Sequence, residues 1–89
     1  LLSPQLLELF GLEEAVRAMV QSFDCDKFRF KYEFSAMGVR LERTIETGIF
    51  RIIQELVNNI VKHAEATEAS IILNINKSFI TIEVKDNGK

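Results

Sequence analysis

The chain has 89 residues, 47% of them hydrophobic and 27% charged, with a formal charge of −2. That is one domain or less, able to bury about 60–65% of its unfolded surface, with the composition of an ordinary soluble globular chain. It leaves no electrostatic footprint for nucleic acid or an anionic membrane, no apolar run near the roughly 20 residues that span a bilayer, and no internal disulfide, since Cys25 is the lone cysteine and suits a reducing compartment.

Residues 1–10 include Pro4 after a serine, which suits the first turn of a short helix whose Leu2, Leu6, Leu9 and Phe10 pack on the next segment. Gly11 breaks that helix, and the spacing predicts another over residues 12–23. Its apolar stripe is Leu12, Ala15, Val16, Met19, Val20 and Phe23, with Glu13, Glu14, Arg17 and Gln21 facing water. Residues 24–27 form a turn. Residues 28–34, Phe-Arg-Phe-Lys-Tyr-Glu-Phe, alternate aromatic and charged side chains without error, the pattern of a strand with one face buried. Basic and aromatic residues interleave in nucleic-acid stacking surfaces too, but here the two kinds lie on opposite faces, which favours core packing.

A loop over residues 35–40, containing Gly38, leads to a long helix that begins near Glu42 or Thr44, with Thr44 able to cap it, and ends around Ala64. Ile45, Ile49, Ile53, Leu56 and Ile60 carry the spacing of a core-facing side. At roughly 100° per residue, Arg51, Glu55, Asn59 and Lys62 fall within about 80° of one another beside that stripe, and Gly48 lies on the same side. A carboxylate one turn from a neutral oxygen ligand suits metal–nucleotide chemistry: Glu can take or orient a proton, an Asn carbonyl suits Mg²⁺, and Lys places a compact charge near phosphate. On spacing alone, an ordinary solvated helix face is the commoner explanation. Residues 69–76 and 79–85 read as two strands joined around residues 76–78 in an antiparallel hairpin. Asp86-Asn87-Gly88 comes next, a simple turn or a place where backbone approaches a ligand closely.

The run Gln54-Glu55-Leu56-Val57-Asn58-Asn59-Ile60-Val61-Lys62-His63-Ala64 resembles the N-box of two-component sensor histidine kinases, in particular the nitrate-sensor-like branch with its Glu-x-x-x-Asn-x-x-Lys-His-Ala pattern. Asp86-Asn87-Gly88-Lys89 resembles the first half of the Asp-x-Gly-x-Gly adenine box. Leu2-Ser3-Pro4, Leu7 and Gly11-Leu12 resemble the passage from the dimerising helices into the catalytic domain. The three pieces stand in the family's order, and the likeness covers nearly the whole chain.

The resemblance implies an α/β (α+β) two-layer sandwich, helices on one face of a mixed sheet. This would be the N-terminal part of the Bergerat ATP-binding fold shared by GHKL proteins such as gyrase and MutL-type ATPases. Residues 1–11 would end the linker from the dimerisation helices, and residues 12–89 would form a partial catalytic domain. Glu55 would orient or activate the attacking group, Asn59 would coordinate Mg²⁺, Lys62 would touch phosphate, and His63 would lie near the nucleotide. Asp86 would accept a hydrogen bond from the adenine amino group, and Gly88 would let the backbone pass beside the base. Arg51 is a lesser candidate beside the phosphates, and Asn58 occupies a variable position.

The family's parent proteins are cytoplasmic or anchored in the membrane from the cytoplasmic side. With ATP and Mg²⁺ they phosphorylate a histidine and pass the phosphate to a response regulator. Expected partners are therefore ATP, the parent's own dimerisation and phospho-acceptor domain, a response regulator, and a second copy in a homodimer; no nucleic acid and no direct membrane contact are expected. The only histidine is His63, inside the N-box, and neither the phospho-acceptor signature nor the Gly-rich lid is present. The chain starts on Leu1 and stops at Lys89, so it is expected to be a piece of a longer protein, with little activity alone because phosphoryl transfer needs the full phosphate clamp. The alternatives are a serine kinase or ATPase of the same fold, and a non-catalytic dimerisation or partner-binding module.

Overall fold

The computed structural model describes residues 4–36, 40–63, 65–76 and 78–88. Leu2 and Ser3 of the expected linker, Gly38 of the connecting loop, Ala64 of the N-box and the final Lys89 lie outside the described residues.

The first element, α1, runs Pro4–Phe23 and is two helical pieces joined at Gly11, whose φ of 89° and ψ of −179° are non-helical. That conformation is open essentially only to glycine, which is why the break falls here. Leu7 of the first piece is buried, whereas Leu9 and Phe10, expected to pack, are 70% and 61% exposed. The second piece keeps its stripe: Leu12, Ala15, Val16, Met19 and Val20 are buried.

Strand β1, Arg29–Ala36, runs two residues beyond its expected end. Phe30, Tyr32 and Phe34 lean on the core while Arg29, Lys31 and Glu33 are exposed. Helix α2, Arg43–His63, connects it to strand β2, Glu68–Ile75, which lies parallel to β1. Parallel neighbours need such a crossover. Strand β3, Ile80–Asp86, returns antiparallel to β2, giving the order β1-β2-β3. The mixed sheet and two helices are the expected two-layer sandwich.

Side chains directly opposite in neighbouring strands share a face. Ala69, Ile71, Leu73 and Ile75 are buried under the helices, so the partners Phe30, Tyr32 and Phe34 of β1 and Asp86, Val84, Ile82 and Ile80 of β3 occupy that same face. One cluster joins Leu7, Leu12, Val16 and Met19 of α1 to Ile49, Ile53 and Val57 of α2 and Ile71, Leu73 and Ile75 of β2.

The buried side of α2 is Glu46, Ile49, Ile53, Val57 and Ile60. Leu56 and Ile45, expected on it, are 39% and 45% exposed. The helix packs on the sheet and alongside α1, and these two neighbours together turn its buried arc toward Val57 and away from Leu56. Its start at Arg43 falls between the two expected positions, but the cap is Glu42 and not Thr44: the Glu42 carbonyl accepts from the amides of Ile45 and Glu46 and its Oε1 from the Thr44 amide at 3.1 Å.

Among the described residues Glu46 is the one buried carboxylate, 4% exposed. It accepts from Arg40 Nε at 3.2 Å, from Arg40 Nη2 at 3.3 Å and from the Leu41 amide at 3.1 Å. Arg40 Nη2 also donates to the Glu8 carbonyl at 3.3 Å, and Arg43 pairs with the Glu8 carboxylate. The first piece of α1 is thereby tied to the start of α2.

Candidate functional site

Helix α2 displays Arg51, Glu55, Asn59, Lys62 and His63 as exposed side chains. Gly48 lies on the side of Glu55, and a Cβ built there meets nothing within 4 Å, so that part of the helix flank is open. Lys62 and His63 fall in the last turn, where positive charge also complements the helix dipole. Asn58 is partly buried and stands off the line.

The strand end is brought to the same region by topology. Chain leaving α2 enters β2 after a short connection, and Asp86 at the end of β3 pairs with Ala69 near the start of β2. Ala69 packs with Phe28 and Ile60, and Val84, two residues before Asp86, packs on that cluster. Ile60 adjoins Asn59 in α2, so the polar end of the helix and Asp86 belong to one end of the sandwich. The register sets Asp86 on the helix-covered face, although its side chain remains exposed.

Asp86 Oδ1 accepts from the Gly88 amide at 2.7 Å, and its other oxygen has no hydrogen-bond partner among the described residues. Lys85 points the other way and pairs with Glu83 at 2.8 Å; that hydrogen bond, then the Glu83 charge, raises its pKa above the ordinary lysine range. A small cleft of about 210 Å³ adjoins Asp86, Asn87, Ala69 and Lys31. A roomier one, about 620 Å³, lies at the other end of α2 between Leu7, Arg40, Glu46, Phe50 and Arg51, and of the expected site residues it takes in Arg51 alone.

Sequence reasoning missed two features. Glu46 sits three and seven residues before Ile49 and Ile53, so its place on the core side was visible in the spacing. Asn87 stands at the unspecified position of the Asp-x-Gly pattern, which gives it no role. Its Oδ1 accepts from the amide of Thr67 in the α2–β2 connection and from that of Glu68 at the start of β2.

Among the described residues no cluster of three His, Cys, Asp or Glu exists that would hold a metal alone. One Asn oxygen on an open flank fits Mg²⁺ in the manner that ion prefers, with phosphate oxygens and water completing its shell. The second Asp86 oxygen, without a partner among the described residues, is chemically able to accept from an amine.

The chain is thus a helix-on-sheet sandwich with a polar helix flank and an Asp-x-Gly turn at one end. Residues 44–89 match the family described as histidine kinase-, DNA gyrase B-, and HSP90-like ATPase, and the chain belongs to that family. It is similar to the sensor histidine kinase LiaS of Bacillus subtilis (strain 168), 32% identical over 88 residues that cover 99% of this chain and 24% of the relative. The signal transduction histidine-protein kinase/phosphatase DegS of the same organism is 33% identical over 90 residues, covering 97% and 23%. The oxygen sensor histidine kinase NreB of Staphylococcus carnosus (strain TM300) is 30% identical over 88 residues, covering 98% and 25%. The chain spans about a quarter of the length of these relatives. It carries sequence of a histidine kinase ATPase domain. Among the described residues no helix is long and apolar enough to cross a membrane.

Proposed function

We propose that this chain supplies the nucleotide-holding part of the catalytic domain of a two-component sensor histidine kinase. With Mg-ATP, the whole protein phosphorylates a histidine and passes the phosphate to an aspartate of a response regulator. The observation that carries the reading is the placement of Asp86 on the helix-covered face at the end of the sandwich where Asn59, Lys62 and His63 are exposed.

In this reading the free oxygen of Asp86 accepts the adenine amine, and Gly88 keeps the adjoining backbone bare. Asn59 offers its side-chain oxygen to Mg²⁺, and Lys62 places its charge beside the phosphates, with His63 next to it. Glu55, one turn before Asn59, orients or deprotonates the attacking imidazole. ATP supplies the phosphoryl group; positioning and charge are what the protein adds. Arg51 lies further along the same flank and is a weaker phosphate contact.

On the same reading residues 1–11 end a linker from dimerising helices and residues 12–89 belong to the catalytic domain, a boundary placed at the kink at Gly11. A homodimer and a response regulator belong to the same reading. The test is Asn59→Ala in the full-length protein, with transfer from radiolabelled ATP as the readout. Asn59 is exposed, so folding stability should move by no more than about 0.5 kcal/mol while autophosphorylation is lost. Unchanged transfer would refute the reading.

A further inference from the structure

We infer that Asn87 is a positioning residue for nucleotide selection: it pins the turn that carries Asp86 to the chain leaving the N-box helix. The inference rests on the proposed adenine-pairing role of Asp86.

Four hydrogen bonds place Asn87. Its Oδ1 accepts from the amides of Thr67 at 3.0 Å and Glu68 at 3.1 Å, and its Nδ2 donates to Thr67 Oγ1 at 3.0 Å. Its own amide donates to the Glu68 carbonyl at 3.1 Å, extending the β2–β3 ladder one step past the Ala69–Asp86 pair. Thr67 is held from the other side as well, its carbonyl accepting from the Arg29 amide at 2.9 Å. The connection between α2 and β2 is therefore clamped to both neighbouring strands, and Asn87 is the clamp on the side of the adenine turn.

The two halves of the proposed site are each one short step from this clamp. Asp86 is the residue before Asn87 and is itself folded back onto the Gly88 amide. Lys62 and His63 close the helix that leads into Thr67. A side chain that joins residues 67 and 68 to residue 87 sets how far the adenine-pairing carboxylate stands from the phosphate-facing end of α2. These bonds are exposed to water, where each contributes little net stability. Their consequence is geometric: near hydrogen-bond distance, a displacement of a fraction of an ångström decides whether a donor is met.

The experiment measures ATP and GTP binding to the full-length protein for Asn87→Ala, Asn87→Asp, Thr67→Val and Asp86→Ala, with thermal melting of each. Asn87→Asp keeps an oxygen acceptor for both amides and should retain ATP affinity and preference over GTP. Asn87→Ala should bind ATP about tenfold more weakly, the loss of roughly one well-placed hydrogen bond, and lose most of its preference, with a small change in melting. Thr67→Val removes one of the four bonds and should fall between, and it decides the matter if Asn87→Ala does not fold. If Asp86→Ala abolishes the preference while folded Asn87→Ala or Thr67→Val keeps wild-type selectivity, the positioning role is overturned. If Asp86→Ala itself leaves selectivity unchanged, the role of Asp86 fails, and the inference with it.

Discussion

Arg40 and Glu46 form a two-point pair, Nε to Oε2 at 3.2 Å and Nη2 to Oε1 at 3.3 Å, in which the acid is buried and the base is largely in solvent. The asymmetry matters because the cost of breaking such a pair depends on which charge is left behind.

Arg40→Ala leaves a buried carboxylate with the Leu41 amide as its only remaining partner among the described residues. It also frees the Glu8 carbonyl. Glu46→Gln leaves Arg40 free to reach water. We therefore expect Arg40→Ala to destabilise by about 2–4 kcal/mol and Glu46→Gln by about half of that. Urea unfolding midpoints check the order; equal costs would show that Glu46 is not held as a buried charge.

Two glycines should respond in opposite directions. Gly11 has φ of 89°, and a Cβ there would stand 3.3 Å from Arg40 Nε. Gly11→Ala is expected to cost about 1–3 kcal/mol from backbone strain alone. Gly48 sits inside a helix facing open space, so Gly48→Ala should stabilise by about 0.5–1 kcal/mol. Melting temperatures of the two variants should move apart from the wild type in opposite senses.

The orientation of α2 predicts a third contrast. Ile53 and Val57 are fully buried, while Leu56 and Ile52 are 39% and 53% exposed. Ile53→Ala should cost about 2–5 kcal/mol, and Leu56→Ala less than about 1 kcal/mol. Similar losses at the two positions would mean that the helix is rotated from the arrangement described.

The elements that were legible in sequence are those whose signal is local. The aromatic–charged alternation of residues 28–34 can bury only one face of a strand, and Gly11 could only interrupt a helix. The face of α2 was less legible because apolar residues stand at 52, 53, 56, 57, 60 and 61. Such a helix has two candidate stripes, and its neighbours on two sides decide between them. Leu9 and Phe10 illustrate the same limit, apolar in sequence yet left in solvent. The candidate site was legible as residue types in a motif. That Asp86 shares the helix-covered face depends on its pairing with Ala69, and that Asn87 closes the connection after α2 depends on contacts about 20 residues apart in the chain, which no local pattern encodes.

In the proposed site Asp86 and the polar flank of α2 hold adenine and phosphates together, and nucleotide selectivity tests this most directly. A carboxylate oxygen that accepts from the exocyclic amine of adenine faces a carbonyl in guanine, and two acceptors then oppose each other without a proton between them. Calorimetric titration of the full-length protein with ATP and with GTP, each with Mg²⁺, should give ATP at least about tenfold tighter binding. Equal affinity for the two nucleotides, or no binding of ATP, would contradict it.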